Sequence, residues 1–131
     1  MLDHRAEFEH LVRDRLGVTA ASPNLDGKLS GGSVRVPVPL GSIVELNTTV
    51  ARDVTRQEVL EAHRAGPPAG VLEYSEVALV SSDIKGHLAS STFDSALTRV
   101  EGRHIKVSAW YDNEWGFSNR VIDTLTLLAG S

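Results

Sequence analysis

The sequence contains no cysteine. That single absence excludes disulfides, thiolate metal sites and a thiol nucleophile from these 131 residues. Charge of one sign is also missing as a concentrated feature. Lys and Arg number 13 against 17 Asp and Glu, for a net charge of −4, and no basic block stands out. A groove for nucleic acid is normally built on a basic stripe, so nucleic acid is not an expected partner. No apolar run approaches the roughly 20 residues that span a bilayer, so no membrane partner is expected. The opening MLDHRAEFEHLV is too charged for a secretory signal, which makes the cytoplasm the expected location. The five histidines, His4, His10, His63, His87 and His104, are scattered, and none forms a His-x-x-x-His pair. A metal site is therefore not expected.

What is present is the ordinary balance of a one-domain chain, with 41% hydrophobic and 23% charged residues. Phe8, Leu11, Val12 and Leu16 recur at helical spacing and predict a helix over 3–16, with Asp3 at its start and Gly17 past its end. Residues 19–32 (TAASPNLDGKLSGG) read as a linker. In SVRVPVP, Val34, Val36 and Val38 alternate with Arg35 and Pro37, as in a strand whose prolines confine it to an edge. IVELNTTV at 43–50 has high strand propensity.

Thr55 and Glu58 have the spacing of a capping box, and Val54 and Val59 that of a hydrophobic staple. They predict a helix over 55–65, stopped by Gly66, Pro67 and Pro68. Short strands are expected at 71–74, 77–80, 91–94 and 97–100, and a longer one at 104–111. A last helix is expected over 117–129, with Phe117, Val121, Ile122, Leu125 and Leu128 on its apolar face. This order predicts an α+β fold: a mixed, largely antiparallel sheet with helices on one face.

The run Trp110-Tyr111-Asp112-Asn113-Glu114-Trp115-Gly116-Phe117-Ser118-Asn119-Arg120 resembles the C-terminal signature of glyceraldehyde-3-phosphate dehydrogenases, departing only at Phe117, where the family has tyrosine. NLDGKL at 24–29, RVPVP at 35–39, VSSD at 80–83 and SSTFD at 90–94 resemble family segments in the family's order. The resemblance covers roughly 21–129. It divides the chain into an N-terminal helix without family match (1–20) and a catalytic-domain-like remainder (21–131).

The resemblance implies site residues as well as fold. Arg35 matches a phosphate-binding arginine, whose planar fork suits anion oxygens. Asn113 matches the asparagine that holds the nicotinamide carboxamide, a task for a group that both donates and accepts. Phe117 stands beside that position, and Tyr111 and Glu114 flank it. The family's cysteine and histidine segments and its dinucleotide fingerprint find no match in these residues. The expectation is therefore a stand-alone, repurposed domain that uses no cofactor. Arg35, Asn113 and Phe117 would bind an anionic or polar small molecule. Tyr111, Glu114 and His87 are the candidates for non-redox acid–base chemistry such as cyclisation, isomerisation, elimination or addition. An assembly module and one half of a split dehydrogenase, with a partner dehydrogenase chain, are the alternatives. Apolar strands that a larger protein would cover predict a homodimer or higher oligomer.

Overall fold

The computed structural model describes residues 23–25, 27–66 and 70–130. The helix expected over 3–16 and the prolines at 67 and 68 lie outside the described residues. The chain forms two compact units, Met1–Pro37 and Val38–Ser131. Among the described residues of the first, a 3-10 turn over Pro23–Leu25 precedes an extended, exposed segment.

Among the described residues, the second unit holds every strand and α-helix. Its elements are β1 (Ser42–Thr49), α1 (Arg56–Arg64), β2 (Leu72–Ser75), β3 (Ser91–Asp94), β4 (Arg99–Glu101), β5 (His104–Tyr111) and α2 (Asn113–Ala129). The strands form one sheet in the order β1-β5-β3-β2, with β4 also paired to β5. The β1–β5, β3–β5 and β4–β5 pairings are antiparallel and β2–β3 is parallel, so the α+β, largely antiparallel reading holds. Gly102, at φ 58°, makes the two-residue turn between β4 and β5.

Register sorts the sheet into two chemically distinct faces, because successive side chains alternate. One face carries Val44, Leu46, Tyr74, Phe93, Val107 and Ala109. Helix α1 packs here: the His63 ring stacks on Phe93 with centroids 3.9 Å apart, Tyr74 adds a second ring at 5.5 Å, and Val59 and Leu60 are buried. The opposite face is mainly polar, with Ile43 and Trp110 as its apolar members. Glu45 meets Lys106 at 2.6 Å and Ser108 at 3.5 Å, and Thr49 meets His104 at 3.0 Å.

Helix α1 begins as its sequence dictates. The Thr55 hydroxyl accepts from the Glu58 N–H at 3.2 Å, and the Glu58 carboxylate accepts from the Thr55 N–H at 2.7 Å. The Arg56 guanidinium then donates to the carbonyls of Ser95 (2.7 Å) and Thr98 (3.3 Å), fastening the helix to the loop between β3 and β4.

Four expectations need correction. SVRVPVP is not a strand: Pro37 and Pro39 cannot donate to a ladder, and Val34 is 87% exposed. Residues 77–80 are not a strand either, because the Val77 N–H is taken by the Ser75 hydroxyl (3.2 Å) and the Val80 N–H by Asp83 (2.9 Å). The last helix starts at Asn113 rather than 117, since Asp112 accepts from the Trp115 N–H at 3.2 Å and caps it a full turn earlier. Its apolar residues Phe117, Val121, Ile122 and Leu125 are exposed rather than packed on the sheet.

Candidate functional site

The end of β5 and the start of α2 form a corner, and Asp112 is its hinge pin. One carboxylate oxygen caps α2, and the other accepts from the Gly86 N–H at 3.0 Å. Gly86 sits at φ 74°, a conformation that favours glycine. The 85–87 loop is thereby tied to the corner. On the next turn, Gly116 is buried, and a Cβ there would lie 3.0 Å from the Ala89 carbonyl oxygen. Glycine lets α2 lie directly against the 89–90 segment.

Arg120 closes the third side. Its Nη1 donates to the Gly70 carbonyl at 3.0 Å and to the Ser90 hydroxyl at 3.4 Å, and its Nη2 pairs with Asp123 at 2.7 Å. Its Nε is buried without a hydrogen-bond partner among the described residues. Between these elements opens a recess of about 230 Å³ lined by Ser90, Tyr111, Asp112, Asn113, Gly116, Phe117 and Arg120.

The two charged residues of the wall are already engaged. Asp112 is engaged by two backbone N–H groups, and Arg120 by Asp123 and a carbonyl. What remains available is the Asn113 amide, the Tyr111 phenol and the Phe117 ring, which is 71% exposed. Such a wall suits a flat polar molecule that stacks on an aromatic ring and exchanges hydrogen bonds with an amide.

Of the residues singled out from the sequence, Tyr111, Asn113 and Phe117 line this recess together. Glu114 lies in the exposed first turn of α2, where a carboxylate complements the helix dipole, and it is not in the lining. His87 is not in the lining either. Its Nδ1 lies 3.3 Å from Glu73 Oε2 and 3.5 Å from Thr92 Oγ1, so the serines near it in sequence are not its partners in these contacts. Arg35 is exposed and belongs to the Met1–Pro37 unit. Sequence reasoning missed Ser90, Gly116 and Arg120. The spacing of 113, 116, 117 and 120 was the available signal, since it puts these residues on one helix face.

Trp110 anchors the corner through its indole, which donates to Asp94 at 3.0 Å, whereas Trp115 is half exposed and does not share that role. Among the described residues no group of three or more His, Asp or Glu is placed to hold a metal ion. No helix among them is long and apolar enough to cross a membrane.

Comparison with known proteins agrees with the signature at this corner. The family model described as glyceraldehyde 3-phosphate dehydrogenase, C-terminal domain, matches residues 14–113, beginning ahead of the boundary drawn at residue 21. A glyceraldehyde-3-phosphate dehydrogenase of Kitasatospora aureofaciens is 82% identical over 110 residues, covering 82% of this chain and 33% of the relative. Glyceraldehyde-3-phosphate dehydrogenase 2 of Streptomyces arenae is 50% identical over 83% of this chain and 34% of its own length. The Streptomyces coelicolor enzyme is 46% identical over 97% of this chain and 40% of its own length. The chain thus spans about a third of the length of the first two of these relatives and two fifths of the third. Fold, corner signature and family model agree: this chain belongs to the glyceraldehyde 3-phosphate dehydrogenase C-terminal domain family.

Proposed function

We propose that this chain binds a polar small molecule in the β5–α2 recess, with Asn113 reading an amide or carboxyl group and Phe117 and Tyr111 flanking its ring. The observation that carries this reading is the convergence of those three side chains on one recess whose walls are fixed by Asp112, Gly116 and Arg120. Arg35, in the Met1–Pro37 unit, is proposed separately as a ligand for an anion. The chain contains no cysteine, and we read the chemistry of its own residues as acid–base chemistry. Tyr111, at the end of β5, is its proton-transfer group at the recess, with Glu114 at the start of α2 and His87 as further candidates. Reactions of that kind are cyclisation, isomerisation, elimination or addition, carried out in the cytoplasm.

Calorimetric titration with nicotinamide, benzoate and inorganic phosphate tests the binding claim. We expect the carboxamide and carboxylate rings to bind at millimolar concentration, with Asn113→Ala abolishing the signal. Arg35→Ala should weaken phosphate binding and leave nicotinamide binding unchanged. Equal binding by wild type and Asn113→Ala would remove the site.

A second reading is favoured by the 82% identity to a glyceraldehyde-3-phosphate dehydrogenase. In it, the recess serves one half of a dehydrogenase site whose nucleophile comes from a partner dehydrogenase chain. A nicotinamide cofactor would supply hydride acceptance there. Asn113 would hold its amide and Phe117 would shield its ring from water. Dehydrogenase activity that rises when this chain is added to a partner chain lacking the matching region would favour this reading over the first. In both readings, exposed apolar residues of β1 and α2 support association with a second copy.

A further inference from the structure

We propose that Ser90 is a second reading group of the β5–α2 recess: its hydroxyl, made a donor by Arg120, admits ligands that present an acceptor oxygen to it and fixes which way round they sit. This rests on the recess reading above and adds the residue that sets the polarity of the site.

Asn113 cannot set that polarity. An amide donates at one end and accepts at the other, so a carboxamide can face it either way round, and a carboxylate can face it as well.

Ser90 differs because of what stands behind it. Its oxygen lies 3.4 Å from Arg120 Nη1. A guanidinium carries N–H donors and no acceptor, so the hydroxyl can only accept there. Its own hydrogen is left over, and among the described residues it reaches no acceptor. Ser90 lines the recess, so that hydrogen is a donor for a bound molecule. A ligand N–H in the same place would face an oxygen already turned to a positive group. The charge-assisted bond also draws electron density toward the guanidinium, which makes the O–H a stronger donor.

Both partners are in position before a ligand arrives. The Ser90 N–H donates to the Val71 carbonyl at 2.9 Å, and Ala89 before it is buried. Gly116 brings α2 close on the other side, where a Cβ would lie 3.6 Å from Ser90 Cα. Arg120, one turn further along α2, is fastened by the Gly70 carbonyl and by Asp123. Its Nε–H is buried without an acceptor among the described residues, which leaves part of its positive charge to act on Ser90. A donor fixed in this way rejects an analogue that cannot accept from it.

The ligand class follows. It is a flat ring bearing a carbonyl or carboxylate oxygen, with that oxygen toward Ser90. The second atom of the group, nitrogen or oxygen, faces Asn113, which can accept from the one or donate to the other. A ring whose substituent is only a donor, such as an amine, is excluded.

Calorimetric titration of the full chain with nicotinamide and thionicotinamide tests the role of Ser90. The two probes are neutral and alike in outline, but sulfur accepts poorly. We expect the native chain to bind nicotinamide about tenfold more tightly than thionicotinamide, a readout that needs no variant. Ser90→Ala should lower nicotinamide affinity about tenfold and leave thionicotinamide nearly unchanged, so that the preference disappears. Alanine keeps the Cβ, and a change in packing alone would weaken both probes together. Equal binding of the two probes by the native chain, or a preference undiminished in Ser90→Ala, would overturn the role of Ser90 and leave the recess standing. A native chain that binds neither probe would overturn the recess reading, and the role of Ser90 with it.

Discussion

The Trp110 indole N–H donates to the Asp94 carboxylate at 3.0 Å, and Asp94 is only 1% exposed. The second Asp94 oxygen accepts from the Leu97 N–H at 3.2 Å, starting the short turn that leads to β4. One buried carboxylate thus joins β3, the following turn and β5 just before the recess. Trp110→Phe keeps the ring and deletes the donor, leaving a buried carboxylate oxygen short of a partner. We expect a loss of about 1–3 kcal/mol, seen as a lower denaturation midpoint with an unchanged slope. An unchanged midpoint would show that this bond does not hold the corner.

Gly116→Ala tests the closeness of α2 to the 89–90 segment. The added methyl would meet the Ala89 carbonyl oxygen at 3.0 Å, closer than such atoms normally approach. Backbone must move on one side. Alanine's better helix propensity offsets part of the cost, and we expect a net destabilisation of about 1 kcal/mol. Because Gly116 lines the recess, ligand affinity should fall more than stability does. Thermal melts and ligand titration of the same variant separate the two effects.

Acid should loosen the start of α1. The Thr55 N–H, and after it the Arg52 guanidinium, hold the Glu58 carboxyl below its ordinary pKa. A carboxylate whose pKa is lower folded than unfolded contributes stability above the unfolded value. That contribution is lost as pH falls through the folded one. The melting temperature of the native chain should therefore drop on acidification below the ordinary glutamate range. Glu58→Gln should show a lower plateau near neutrality and a shallower acid limb. Parallel acid limbs for the two proteins would refute the assignment.

The parts of this structure that were legible in the sequence are the local ones. Thr55 and Glu58 are three residues apart, and their reciprocal bonds follow from that spacing alone. The eleven-residue corner signature likewise marked Tyr111, Asn113 and Phe117 before any geometry was known. What escaped depended on distant partners. Nothing in β5 announces that Trp110 will meet Asp94, or in α2 that Arg120 will reach Gly70 fifty residues earlier. SVRVPVP alternates as a strand does, yet alternation is only half of a strand; the other half is a neighbour for its backbone, which its prolines help to deny. The valines at 77 and 80 failed for a different local reason, since Ser75 and Asp83 claimed their N–H groups first.

The recess at the β5–α2 corner is the claim on which the functional reading rests, and backbone amide shifts measured during a nicotinamide titration test it most directly. The account predicts that saturable shifts concentrate at Tyr111, Asn113, Gly116 and Arg120 and vanish in Asn113→Ala, whose spectrum otherwise matches the native one. Shifts scattered over the sheet, or an Asn113→Ala titration indistinguishable from wild type, would contradict it.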